Sequence, residues 1–163
     1  MIPEIYKIVP VMKEADLSST VETDGINMKN FHRATFIFSL NTLGGASSVL
    51  TVTSGAADGA NTSEISFKYA FGGAAIGTAA AGSASSCDVL ADWTDASTLT
   101  LTYGTYSDYM LVVVVDAAKM DVANSEEWLS CVFTTTSSVT GNVTGFAILE
   151  PRYEENNSET ALA

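Results

Sequence analysis

The segment Glu64-Ile65-Ser66-Phe67-Lys68-Tyr69-Ala70-Phe71 carries a large apolar side chain at every second position. A period of two belongs to a pleated strand, whose successive side chains point to opposite faces. Ile65, Phe67, Tyr69 and Phe71 therefore share one face, and Glu64, Ser66 and Lys68 share the other. Such a strand is half wet and half buried, which commits the chain to a sheet with a core on one side.

The same rhythm returns along the chain. Ala34 to Leu40 places Ala34, Phe36, Phe38 and Leu40 on an inner face, and Val49 to Thr53 and Leu99 to Tyr103 alternate likewise. Met110 to Val115 is apolar on both faces, which predicts a central strand or one covered by another subunit. Trp128 to Thr136 and Val143 to Leu149 supply the last strands, and Pro151 closes the final one. Asp24-Gly25 and Leu43-Gly44-Gly45-Ala46 supply turn residues between them. About eight short strands joined by such turns predict an all-β fold, an antiparallel β-sandwich or jelly roll in one domain with extended termini.

Three regions follow. Residues 1–18 lack a clear period, and Pro3 and Pro10 each remove a ladder donor. They read either as an extended arm that docks on a neighbouring chain or as a first strand with bulges. Ile5, Tyr6, Ile8, Val9 and Val11 are its candidate interface residues. Residues 19–153 form the sandwich, and 154–163 read as a flexible acidic tail. Within the sandwich, Gly72 to Ser86 holds almost only Gly, Ala, Ser and Thr and reads as a loop.

The formal net charge is −12, from 7 Lys and Arg against 19 Asp and Glu. Clustered cations are what bind phosphates, so nucleic acid and anionic membrane surfaces are not expected partners. Charged residues are only 16 % of the chain, below the usual quarter. No apolar run approaches the roughly 20 residues that span a bilayer. The surplus apolar surface is then expected in the core or between copies of the chain. The N-terminus does not read as a secretory signal, and Cys87 and Cys131 read as free thiols in a reducing compartment.

Candidates for chemistry are few. His32 is the single histidine, so sites built from several imidazoles are excluded. It lies beside Arg33 with no strand-turn-helix serine motif to make it a catalytic base. Asp88, Asp92 and Asp95 are the candidate calcium ligands, although their spacing is not that of an EF-hand loop. Paired, the same carboxylates would be the acid and base of a glycoside hydrolase. Trp93, Tyr103, Tyr106 and Tyr109 lie near them and are either sugar-stacking aromatics or packing residues. Gly44-Gly45 and Gly72-Gly73 lack the Lys and helix of a phosphate loop, and no cofactor is expected.

Three stretches read together carry a family likeness. The first runs from Ile8-Val9-Pro10-Val11 through Ala15-Asp16-Leu17 and Val21 to Phe31, and leads into Ala34-Thr35-Phe36-Ile37. The second is Val115-Asp116-Ala117-Ala118-Lys119-Met120-Asp121-Val122, and the third is the apolar strand that ends in Pro151-Arg152-Tyr153. The chain resembles the small β-sandwich proteins of the structural-gene modules of tailed bacteriophages, found beside the major capsid protein. The likeness spans most of the chain and contains no catalytic motif, while the stretch 72–86 departs from it. It implies a non-enzymatic virion protein: a capsid decoration or cement protein that binds the major capsid protein as a homo-oligomer, a trimer on threefold positions. A tail or connector subunit and a carbohydrate-binding host-attachment module are the alternatives it leaves open.

Overall fold

The computed structural model describes residues 5–76, 86–135, 138–153 and 160–162. Among them are twelve strands: β1 (Lys7–Asp16), β2 (Val21–Glu22), β3 (Ile26–Asn27), β4 (Phe31–Leu40), β5 (Ser48–Gly55), β6 (Ser63–Glu64), β7 (Phe67–Phe71), β8 (Thr94–Ala96), β9 (Thr98–Leu101), β10 (Met110–Asp116), β11 (Trp128–Thr135) and β12 (Asn142–Pro151). The first sheet has the order β1-β12-β4-β10-β7-β8. The second runs β2-β11-β5-β6, with β3 also beside β11 and β9 beside β5. Neighbouring strands pair antiparallel in both sheets.

The two sheets pack as a sandwich around the residues that the alternation points inward. Ala34, Phe36, Phe38 and Leu40 of β4 are fully buried, as are Leu111, Val113 and Val115 of β10. Leu50 and Val52 of β5 and Leu129, Cys131 and Phe133 of β11 meet them from the second sheet. Phe38 and Phe133 touch edge to face with ring centres 5.1 Å apart, a favoured aromatic geometry that ties the sheets together. Packing is close enough that Gly145 of β12 has no room for a side chain, since a Cβ there would lie 2.6 Å from the Phe38 ring.

The sandwich has twelve strands where about eight are read from the sequence. The extra ones, β2, β3, β6 and β8, are two or three residues long, too short to display a period. Two of them mark places where the chain changes sheet. Ser63–Glu64 pairs with β5, yet Phe67–Phe71 pairs with β10, so Ile65 and Ser66 cross from the second sheet to the first. Thr94–Ala96 pairs with β7 and Thr98–Leu101 with β5, with Ser97 as the crossing. Both sheets share one interior, so a strand that turns this corner keeps its alternation. Ile65, Phe67 and Phe71 are buried and Tyr69 is half-buried, although they do not lie on one continuous strand.

Described residues near both ends of the chain pair with the sandwich. Lys7–Asp16 is the first strand of the sandwich, paired with β12 and bulged after Pro10 and again after Met12. Its alternation sends Val9 and Val11 into the core, while Ile5, Tyr6 and Ile8 stay exposed. Val9 and Val11 are therefore spent inside the domain and offer nothing to a partner. At the other end, residues 154–159 and 163 of the expected flexible tail lie outside the described residues. Ala161 is buried, its carbonyl accepts from the Asn27 N–H at 2.8 Å, and Leu162 bridges Ile26. The chain end is thus a docked strand fragment on β3. The loop expected at 72–86 is described only to Ile76 and from Ser86, and 77–85 lies outside the described residues.

Candidate assembly face

Each sheet of a sandwich has an inner and an outer face, and the outer one ordinarily alternates to polar residues. The second sheet largely obeys this: Thr51, Thr53, Thr98, Thr100, Ser130 and Thr134 stand on its outer side, together with Val49, Val132 and Trp128. The first sheet does not. Register aligns Pro10, Phe146, Ile37, Val112 and Ala70 in one row across β1, β12, β4, β10 and β7. The register of β8 carries Trp93, one residue before that strand, to the end of this row. The adjacent row reads Ile8, Ile148, Thr35, Val114 and Lys68, with Asp95 at the edge.

Ile8, Phe146 and Trp93 are each about half exposed, at 52 %, 49 % and 48 %. Ile37, Val114 and Ile148 are partly exposed between them. Val112 and Ala70, between Ile37 and Trp93, are buried at 7 % and 1 %, so the exposed apolar patch consists of Ile8, Phe146, Ile148 and Ile37 with Val114 beside them, and Trp93 stands apart. A patch of this kind is a candidate interaction site, because scattered apolar residues are normal on a surface and a connected group of them is not. Met110 to Val115, apolar on both sides, is the part of this face legible in the sequence.

One end of the face is charged. Arg33 Nε donates to Asp116 Oδ1 at 2.8 Å, and its Nη1 lies 3.8 Å from Glu150 Oε2. The hydrogen bond and charge of Asp116 push the Arg33 pKa further up. Lys119 Nζ donates to Ser66 Oγ at 3.0 Å in the same row. His32 is exposed next to Arg33, at the mouth of an open groove that Asp116, Lys119, Glu150 and Arg152 also line. These are partly exposed surface pairs, a geometry suited to setting register between surfaces more than to stabilising the fold.

The other predicted site residues are not brought together. Asp88, Asp92 and Asp95 are all exposed, with Asp95 opposite Lys68 at the sheet edge. No group of three His, Cys, Asp or Glu side chains gathers among the described residues. Tyr106 stacks on Phe71 with ring centres 4.0 Å apart, and Tyr109 meets both rings edge-on. These two tyrosines close the margin of the core, which leaves Trp93 and Tyr103 as the exposed aromatics of that group. Burial pushes the Cys131 thiol well up, so it stays protonated and inert.

The structure adds one polar centre that the sequence reading lacks. Glu126, in the loop before β11, is buried and accepts from Ser54 Oγ and Ser63 Oγ, the latter at 3.0 Å. Ser54 occupies an inner position of β5, after Leu50 and Val52, where an apolar residue is expected. A polar residue at an inward position is the signal that could have called for a buried partner.

No helix among the described residues is long and apolar enough to cross a membrane. Comparison with protein-family models, curated proteins and solved structures finds no match to this chain.

Proposed function

We propose that this chain is a non-enzymatic structural protein that works by assembling. Its place is the capsid surface of a tailed bacteriophage, as a decoration or cement protein bound to the major capsid protein. The observation that carries the reading is the partly exposed apolar patch on the outer side of the first sheet, formed by Ile8, Ile37, Phe146 and Ile148. Water contact along such a face costs about 25 cal/mol for every Å² of apolar surface, so covering it with neighbouring subunits is favourable. The sequence likeness to phage β-sandwich proteins supplies the setting, and the acidic remainder of the surface suits a particle exposed to solvent.

The mechanism is mechanical. Subunits that bury this face add contact area between neighbours on the shell and raise the work of separating them. The test is co-sedimentation with parent-virus capsids that lack the protein. Saturable binding at a fixed ratio to the capsid protein is the expected result. A folded protein that fails to bind overturns the capsid role and leaves a tail or connector position to be tested in the same way.

A further inference from the structure

Carboxylates outnumber Lys and Arg by 19 to 7 in this chain, yet cations are left without them at one end of the first sheet. Arg33, Lys119, Arg152 and the single histidine, His32, line the open groove of about 680 Å³ at the ends of β4, β10 and β12. The two carboxylates in that groove, Asp116 and Glu150, both pair with Arg33. Lys119 and Arg152 pair with no carboxylate among the described residues. Lys119 Nζ donates to Ser66 Oγ at 3.0 Å, and Arg152 Nε to the Phe31 carbonyl at 3.2 Å. Both side chains are thus held by neutral acceptors, and both residues are exposed with N–H donors to spare. Beyond Arg152 an adjoining hollow adds Lys29, beside Glu127 and beside Glu126, which Ser54 and Ser63 take up.

We propose that this groove takes an acidic segment of a partner protein, with its carboxylates on Lys119 and Arg152. That the partner is a protein rests on the assembly reading. The apolar patch reaches the groove through Ile148, Tyr6 and Arg33, which line one hollow between them, so a segment leaving the patch enters the groove. Lys119 follows β10 and Arg152 follows β12, the two strands that flank β4. Strands ~4.8 Å apart put those ends about 10 Å from each other, the reach of about three extended residues. Acidic residues at that separation on an extended segment meet both cations.

The net charge of −12 does not oppose this, because salt near 0.15 M screens exposed charges over about 8 Å and leaves the groove's own groups to decide. Nucleic acid is the poorer occupant. Its phosphates recur along each strand and call for a row of cations, whereas Asp116 and Glu150 stand in this groove.

Nuclear magnetic resonance titration of the full chain with hexaglutamate is the test, with hexalysine and hexathymidylate as contrasting probes. The expected result is saturable shifts for hexaglutamate at the amides of residues 32–33, 116–119 and 150–152, reversed by salt. Lys119→Glu and Arg152→Glu are each expected to weaken binding about fivefold. Near-ultraviolet circular dichroism checks that each variant is folded, and Lys119→Glu serves if Arg152→Glu, which also loses the bond to Phe31, is not. No saturable shifts, shifts indifferent to the charge reversals, or equal or tighter binding of hexalysine or hexathymidylate overturns the proposal. Such a failure leaves the assembly reading standing if the chain still binds capsids saturably, and that reading falls on its own test whatever hexaglutamate does.

Discussion

The residues that were easiest to read are those whose burial follows from strand geometry alone. Phe36, Phe38 and Leu40 are inward because they share a period with Ala34, and nothing later in the fold disturbs that. Glu126 is the opposite case. Asn124-Ser125-Glu126-Glu127 has the composition of an exposed loop, and only the pairing of β5 with β6 brings Ser54 and Ser63 to the same carboxylate. No local pattern encodes a contact between residues 63 and 72 positions apart. Removing the carboxylate strands the buried Ser54 hydroxyl, at a cost of about 1–3 kcal/mol, and takes a partner from the half-buried Ser63. Glu126→Ala is therefore expected to lower the urea midpoint by a loss in that range or above it. Glu126→Gln, which retains an acceptor oxygen, is expected to lose less. Equal midpoints for Glu126→Ala and the native chain would show that the site carries no stability.

At the scale of elements, alternation located the strands but not the corners. Glu64 to Phe71 reads as one strand because inward and outward positions keep their order across the bend at Ile65 and Ser66. Sheet membership depends on which distant strand is available for pairing, and that is a property of the whole chain. The termini illustrate the same limit. The C-terminal residues Thr160, Ala161 and Leu162 follow a polar acidic stretch and carry no period, yet they extend the edge of β3. Their contribution comes from burying Ala161 and part of Leu162 and from the hydrogen bond to Asn27. Ending the chain at residue 159 is expected to cost about 1–2 kcal/mol by thermal or urea unfolding. Unchanged stability would mean that the docked end is incidental to the fold.

For the molecule as a whole, the informative asymmetry is between its two outer faces. The outer side of one sheet is mostly threonine and serine, with Val49, Val132 and Trp128 among them, and the rows of Phe146 and Ile148 lie on the outer side of the other. The apolar half of this contrast was visible in Met110 to Val115. Its extent was not, because rows form only when β1, β12, β4, β10 and β7 come into register. A surface of this kind has a direct physical consequence, since it becomes inaccessible wherever the protein is assembled. Hydroxyl-radical footprinting of the capsid-bound protein against the dilute free chain measures that change side chain by side chain. Phe146 and Ile148 are expected to lose most of their reactivity on assembly, while Tyr103, exposed on the loop after β9, keeps its own. Phe146 and Ile148 reacting equally in both states would contradict the account.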